Sequence, residues 1–438
     1  MSGIAQLLLE SGHKVSGSDL KENQITRQLA GQGAKIFLGH AAANISDQDV
    51  VVYSSAIAQE NPEIGQARAL GIPLVKRAQA LAELMQHKIA ITVAGSHGKT
   101  TTTSLVSFML MEAGLCPTVA IGGILNNIQS NACLGKGDFF VAEADESDGS
   151  FLNYSPQYSI ITNIDREHLD YYRDFQAELE AFKMFIGRTS PGGMVFACAD
   201  DPHLLGLMQE LAVRHVFFGF NDQSAIQARN TYFEGLSSDF DCYVGGAPIG
   251  RFHLALGGRH NISNALAVIG LGLELKIDLK YIRACLSGYK GAGRRLEIKF
   301  RNDQYLVVDD YAHHPSEIKA TLAALANLPA RRRIAIFQPH RFSRTKLLLD
   351  DFAGAFALCD ELIITDIYAA SEQPIAGVDA LKLLARLKEH APAKKVTYLP
   401  KDDIVDWILK IISPGDLVIT LGAGDIVKVS DALAQQLK

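Results

Sequence analysis

The run KIAITVAGSHGKTTTTSLVSFMLMEAG, residues 88–114, constrains this chain more than any other segment. An apolar strand-like stretch from Lys88 to Ala94 enters a short glycine turn and then a long helical pattern. That order places free backbone N–H groups and a helix N-terminus around an anion, as in α/β sheets that bind phosphate. Gly95, Ser96, His97, Gly98 and Thr101 are the expected cradle, Lys99 reaches a terminal phosphate, and Thr100 offers a hydroxyl to Mg²⁺. The spacing Gly95-x-x-Gly98-Lys-Thr is shorter than the usual G-x-x-x-x-G-K-[ST] loop. Binding of a nucleoside triphosphate is the expectation.

At 438 residues the chain exceeds one hydrophobic core. A formal net charge of -6 is small for that length and argues against general nucleic-acid binding. The apolar run Ala265–Leu273 is too short to span a membrane, and no basic n-region precedes the first apolar residues, so no membrane insertion is expected. The cysteines (116, 133, 198, 242, 285 and 359) form no C-x-x-C pair. They read as reduced, mostly buried small hydrophobes of a cytoplasmic protein.

Strand-like runs alternate with helical patterns from end to end, which predicts α/β architecture with parallel sheets. MSGIAQLLLESG reads as a helix and HKVSGSD as a strand closing on Asp19, the second half of a dinucleotide-binding βαβ unit. Three domains are expected. Residues 1–87 form a Rossmann-like domain without its first strand and glycine loop. Residues 88–294 form a P-loop ATPase-type parallel sheet with a small antiparallel insertion between Phe217 and Leu256. Residues 295–438 repeat strand–loop–helix units as a C-terminal Rossmann-like domain, with Pro315 in a helix's first turn.

In an open parallel sheet, ligands sit beyond the carboxyl ends of the strands. Three loops leave such ends in the middle block: Gly95–Thr100, Glu143–Asp148 and Asn163–Asp170. Glu143 and His168, with Asp165, Glu167 and Asp170 beside it, are expected at a second metal, and Thr100 at the first. The ion is Mg²⁺ or Mn²⁺ because one imidazole among oxygens suits either. His260, Asn261 and Asn264 open a helix, either as caps or with an amide reading the adenine edge. Arg294 and Arg295 stand at a presumed hinge, from which an arginine could meet the γ-phosphate. Asp309 and Asp310 end the strand YLVV, where a carboxylate could bond the ribose. Arg341 and Arg344, if helical, face one way and form a fork for a small carboxylate. His313 and His314 neighbour them and could accept a proton from an amine.

These blocks together resemble the Mur ligases, the ATP-dependent amide-forming enzymes of peptidoglycan synthesis. The pieces that carry the resemblance are GSHGKTTTT, EADESDGSFL, HLDYY, GRHNISNAL, GAGRRLE, DDYAHHPSEI, FQPHRFSRT, DIYAASEQP and GAGDI. DDYAHHPSEI with FQPHRFSRT favours the member that adds L-alanine to UDP-N-acetylmuramate over those that add glutamate, diaminopimelate or a dipeptide. The ligase that recycles a tripeptide onto the same sugar nucleotide is the alternative, as is a truncated nucleotide-binding protein with impaired activity.

The resemblance implies that Lys99 and Thr100 hold the β,γ-phosphates and Mg²⁺, and that Glu143 and His168 serve the second metal. It puts Asn261 and Asn264 on the adenine side, Arg295 at the γ-phosphate and Asp310 at the ribose. Tyr311, His313, Arg341 and Arg344 would surround L-alanine, and Asp19, Ser54 and Ser55 would meet the sugar nucleotide. Lys183 stands near the place of a carbamylated lysine in some relatives, and reads here as an ordinary surface lysine. A homodimer is one oligomeric state left open.

Two departures stand out. Relatives carry a strand and a G-x-G-G-x-G-type turn ahead of MSGIAQLL, so the expectation is that the true start lies upstream; otherwise this is a truncated form with poor nucleotide-sugar binding. Ser371 in DIYAASE stands where relatives usually have glycine.

Overall fold

The computed structural model describes residues 1–168, 171–370 and 372–438, so Asp170 and Ser371 lie outside the described residues. Compactness divides the chain into two units. The first comprises 1–228, 242–249 and 263–286, the second 229–241, 250–262 and 287–438.

The first unit opens with the expected helix, Ser2–Glu10, and the strand Ser16–Asp19, which pairs in parallel with Lys35–Leu38. A second parallel pair joins Val51–Tyr53 to Leu74–Lys76. The larger sheet has Ile89–Ala94 at its heart, flanked in parallel by Phe139–Glu143 and by Tyr158–Ile161. Met194–Cys198 and His215–Gly219 continue it on one side. Thr118–Leu125 and the antiparallel Ser130–Cys133 continue it on the other. Ile91, Val93, Val141, Ile160 and Val195 are completely buried. Helices cover both faces of such a sheet, which is why its strands read as continuous apolar runs rather than alternations.

Because Ile89–Ala94 lies between its two partners, the three loops leaving their carboxyl ends are neighbours. The helix Phe175–Ile186 is capped by Asp174, whose carboxylate accepts from the Ala177 amide. The insertion is three strands, Ile226–Glu234, Ser237–Val244 and Ala247–Leu254. Connections as short as Gly235-Leu236 and Gly245-Gly246 force antiparallel hairpins, and both residues of the second turn have positive φ.

The second unit has a six-stranded sheet in the order Glu297–Arg301, Tyr305–Asp310, Asp416–Leu421, Arg332–Phe337, Glu361–Ile364 and Lys395–Tyr398. Only the first strand is antiparallel. On one face Phe337 packs against Phe352 and Phe356; on the other Ile334 and Ile336 meet Ile404, Ile408 and Leu433. Pro315 does open the helix Pro315–Ala326, with His314 as its N-cap. Chain-consecutive strands Tyr305–Asp310 and Arg332–Phe337 lie on either side of Asp416–Leu421, so the order switches there and the strand ends form a crevice.

Candidate active site

The phosphate-type turn is laced to the loop beside it. Gly95 has φ +127, and a Cβ there would lie 2.2 Å from the Thr162 hydroxyl, so only glycine fits. The Ser96 amide donates to the Asn163 carbonyl at 3.1 Å, and the His97 amide to the Asn163 side chain at 2.9 Å. His97 Nε2 lies 2.9 Å from an Asp165 carboxylate oxygen. Gly98, at φ +83, caps the helix Lys99–Glu112, and a side chain there would strike the Asn264 amide. Asn264 therefore lies against the turn. Asn261 spends its amide N–H on the Gly257 carbonyl of its own unit at 2.8 Å.

Lys99, Thr100, Glu143 and His168 meet. The Thr100 hydroxyl donates to the Glu143 carboxylate at 3.1 Å, and the Gly122 amide donates to the same group at 3.0 Å. Sequence reasoning passed over Gly122 and Gly123. A Cβ on Gly122 would lie 2.9 Å from Glu143, and one on Gly123 would lie 3.0 Å from Thr100. Paired glycines inside a strand were the available signal.

It also passed over Glu146, which is completely buried and central. Its Oε1 accepts from Lys99 Nζ at 2.7 Å and lies 3.3 Å from His168 Nε2. Burial alone would push the Lys99 ammonium down. The carboxylates of Glu146, Asp145 and Glu143 outweigh it and hold the pKa above the ordinary lysine value. His168 has φ +55, a strained conformation for a side-chain-bearing residue. Behind the cluster, burial pushes the Glu178 carboxyl up to about 8, with Glu146 and Glu167 adding like-charge repulsion.

Donor atoms of Glu146, Glu167 and His168 all lie within 4.8 Å of one another, a set of two carboxylates and one imidazole. The buried Glu146 Oε2 has no hydrogen-bond partner among the described residues. An acceptor left over in such a place fits a hard divalent cation.

In the second unit, the crevice at the strand ends gathers most of the remaining candidates. Arg294 is a clamp: it pairs with Asp309 at 2.9 Å and donates to the carbonyls of Gly422 and Gly424. Arg295 lies 3.7 Å from Glu317 and over the Tyr311 ring at 5.1 Å. Asp310 accepts from the amides of Leu296 and Ala312 and from the Thr321 hydroxyl, and burial lifts its carboxyl to about 6.

His313 Nδ1 lies 3.0 Å from the Tyr311 carbonyl, which can only accept. In the neutral ring Nδ1 then carries the proton and Nε2 is left as the acceptor. The His313 ring is edge-on to Tyr311 and to His340, and His340 stacks on Tyr368. His340, which the motif reading overlooked, lies with its Nδ1 3.2 Å from the Arg344 guanidinium. Burial, reinforced by His313, Arg344 and Arg341, lowers its pKa to about 3.

The helical fork of Arg341 and Arg344 needs correction. Arg341 has φ +67 and precedes the helix Phe342–Leu347, so the two arginines share no helix face. Lys183 is the surface lysine expected, paired with Glu210 at 2.6 Å. Asp19 accepts from the Lys21 amide, Ser54 from the Ala56 amide, and the Ser55 hydroxyl donates to Asp148 at 2.7 Å.

Comparison with known proteins covers nearly the whole chain. Family models match in the order Mur ligase family, catalytic domain (residues 1–89), Mur ligase middle domain (93–272) and Mur ligase, glutamate ligase domain (294–424). The chain is 46% identical over 438 residues to a UDP-N-acetylmuramate–L-alanine ligase of Desulforapulum autotrophicum, covering all of this chain and 96% of the relative. It is 47% identical over 434 residues to the protein of the same name from Desulfatibacillum aliphaticivorans, covering 99% and 95%. Among solved structures, the UDP-N-acetylmuramate–alanine ligase of Thermotoga maritima superposes with a TM-score of 0.85 at 29% identity, covering 100% and 96%. A murein peptide ligase from Psychrobacter arcticus gives 0.73 at 25%, with the same coverage.

Proposed function

This chain belongs to the Mur ligase family, and on that premise we infer that it is an ATP-dependent ligase joining L-alanine to the carboxylate of UDP-N-acetylmuramate. The observation that carries the reading is full-length identity of 44–47% to relatives of that one name. The meeting of Lys99, Thr100, Glu143 and His168 at adjoining strand ends supports it. The product belongs to peptidoglycan precursor synthesis, and the cytoplasm is the proposed location. No described helix is long and apolar enough to cross a membrane.

The chemistry follows from the substrate. A carboxylate is a poor electrophile because its leaving group would be an oxide. Transfer of the γ-phosphoryl group, with ADP leaving, converts the carboxylate into an acyl phosphate; the amine nitrogen then bonds to the carbonyl carbon, and inorganic phosphate departs with the C–O bond electrons. Thr100 would hold one Mg²⁺ or Mn²⁺ and Glu143 with His168 a second, and such ions would neutralise charge so that one anion can approach another.

In our reading Lys99 and the amides of Gly95–Thr101 hold the β,γ-phosphates, with Asn261 and Asn264 on the adenine side. Arg295 meets the γ-phosphate. Asp310 neighbours the ribose and, with three donors on its carboxylate, also fixes the turn carrying Tyr311. His313 Nε2 accepts the proton that the amine gives up. Arg341 and Arg344 hold the alanine carboxylate beside Tyr311, and Asp19, Ser54 and Ser55 contact the sugar nucleotide. Residues 1–87, 88–294 and 295–438 divide the work as sugar-nucleotide, ATP and amino-acid segments.

The test is phosphate release from ATP. It should require both UDP-N-acetylmuramate and L-alanine, and should be far faster with L-alanine than with the L-Ala-γ-D-Glu-diaminopimelate tripeptide. Release preferring the tripeptide would move the chain to the recycling activity, and release needing neither co-substrate would end the ligase reading.

A further inference from the structure

The proposed mechanism gives Glu146 no role, yet it has the most confined carboxylate of the cluster. It is completely buried, and one oxygen serves both Lys99, at 2.7 Å, and His168, at 3.3 Å. Its loop is pinned: the Tyr172 hydroxyl donates to the Glu146 carbonyl at 2.6 Å, and the Gly149 amide donates to it at 3.0 Å.

An ammonium has three N–H donors. Those of Lys99 go to the carbonyls of Gly95 at 2.6 Å and Ser96 at 3.0 Å, and to Glu146. Every one is satisfied within the chain, and two of the acceptors belong to the turn meant to cradle phosphate. A phosphate arriving at Lys99 therefore competes with a buried carboxylate. Simple loss of the pair would strand that carboxylate in a buried site, which is strongly unfavourable. The second Glu146 oxygen, buried and without a partner among the described residues, offers the exit. It lies in the group whose donor atoms, with those of Glu167 and His168, come within 4.8 Å of one another.

We propose that Glu146 is a positioning residue that holds Lys99 while no triphosphate is bound, cedes it to the incoming phosphate, and turns its carboxylate to the cation beside His168. Each stage keeps the buried charges paired: Lys99 with Glu146 before binding, Lys99 with phosphate and Glu146 with the cation after it. The inference rests on the ATP-dependent reading.

The experiment is calorimetric titration with a non-hydrolysable ATP analogue, once in EDTA and once in excess Mg²⁺, for wild type, Glu146→Gln and Glu146→Asp. Glutamine keeps the size and an acceptor oxygen but not the charge. The Gln variant should bind the metal-free analogue at least about fivefold more tightly than wild type, since no ion pair must break. Its gain in affinity on adding Mg²⁺ should shrink by a similar factor, while the Asp variant should keep the wild-type gain. Equal weakening of the Gln variant in both buffers would mean that Glu146 is only structural, and unchanged affinities in both would equally overturn the proposal. Wild type that binds no nucleotide under either condition would instead overturn the ATP-dependent reading beneath it.

Discussion

The Thr100 hydroxyl donates to the Glu143 carboxylate at 3.1 Å across two neighbouring strand ends. It thereby orients the oxygen pair proposed for the cation. Valine at position 100 keeps the β-branched shape and puts a methyl in place of that hydroxyl. Thr100→Val should leave the fold intact and raise the Mg²⁺ concentration for half-maximal turnover about tenfold, the usual effect of removing one oriented donor at a metal. KM for L-alanine should stay within about twofold. A variant with unchanged Mg²⁺ demand would remove Thr100 from the cation site.

Gly95 is the position of least tolerance. Alanine there must adopt a positive φ and place its methyl 2.2 Å from Thr162 Oγ1 and 2.9 Å from the Asn163 carbonyl. Either the turn or the Thr162–Asp165 loop has to move, costing about 2–4 kcal/mol. The urea midpoint of Gly95→Ala should fall accordingly, and affinity for ATP should drop even at temperatures where the variant is folded. Wild-type values of both would mean that the turn is adaptable.

Much of this was legible in the sequence because the informative residues are local. Strand–turn–helix order fixed where Lys99 and Thr100 sit, and the helix does begin at Lys99. Glu143 and His168 could be grouped because both follow apolar runs expected in one parallel sheet, and those two strands lie on either side of Ile89–Ala94. Glu146 was missed because its significance lies in three-dimensional reach: a carboxylate three residues beyond a strand end looks solvated until the loop folds back over Lys99. Arg341 was misjudged for a backbone reason. His340 bridges to Tyr368, and the Arg341 amide donates to the Tyr368 carbonyl at 2.8 Å, which holds that residue outside the helix. Neither contact leaves a trace in local residue spacing.

His340 gives a prediction with a definite sign. Its folded pKa, near 3, lies below the unfolded value of about 6.5, so between those limits the unfolded chain binds the extra proton. The stability this neutral ring contributes is fully present above about pH 6.5 and is lost as pH falls toward 3. In His340→Gln, an oxygen can still accept from Arg344 but nothing titrates. Between pH 7 and pH 4.5 the variant should lose on the order of 1–2 kcal/mol less than wild type by urea unfolding, allowing for partial solvent screening. Parallel loss in the two proteins would show that the His340 ring protonates freely in the folded state.

Lys99→Ala tests the phosphate role and the buried pair together. The ammonium is proposed to meet the γ-phosphate, so turnover should fall below detection. The same truncation strands Glu146, which is completely buried. Uncompensated buried charge typically costs about 3–5 kcal/mol. Lys99→Ala alone should therefore be measurably less stable than wild type. Adding Glu146→Gln should restore stability, since the stranded charge is gone, without restoring turnover. That split separates the two functions of the lysine: neutralising a buried carboxylate, which removal of the carboxylate makes unnecessary, and meeting a phosphate, which no second substitution at Glu146 can replace. Ligation at wild-type rate in either variant would remove Lys99 from the reaction, and a double variant no more stable than Lys99→Ala would mean that the Glu146 carboxylate is already neutral or solvated.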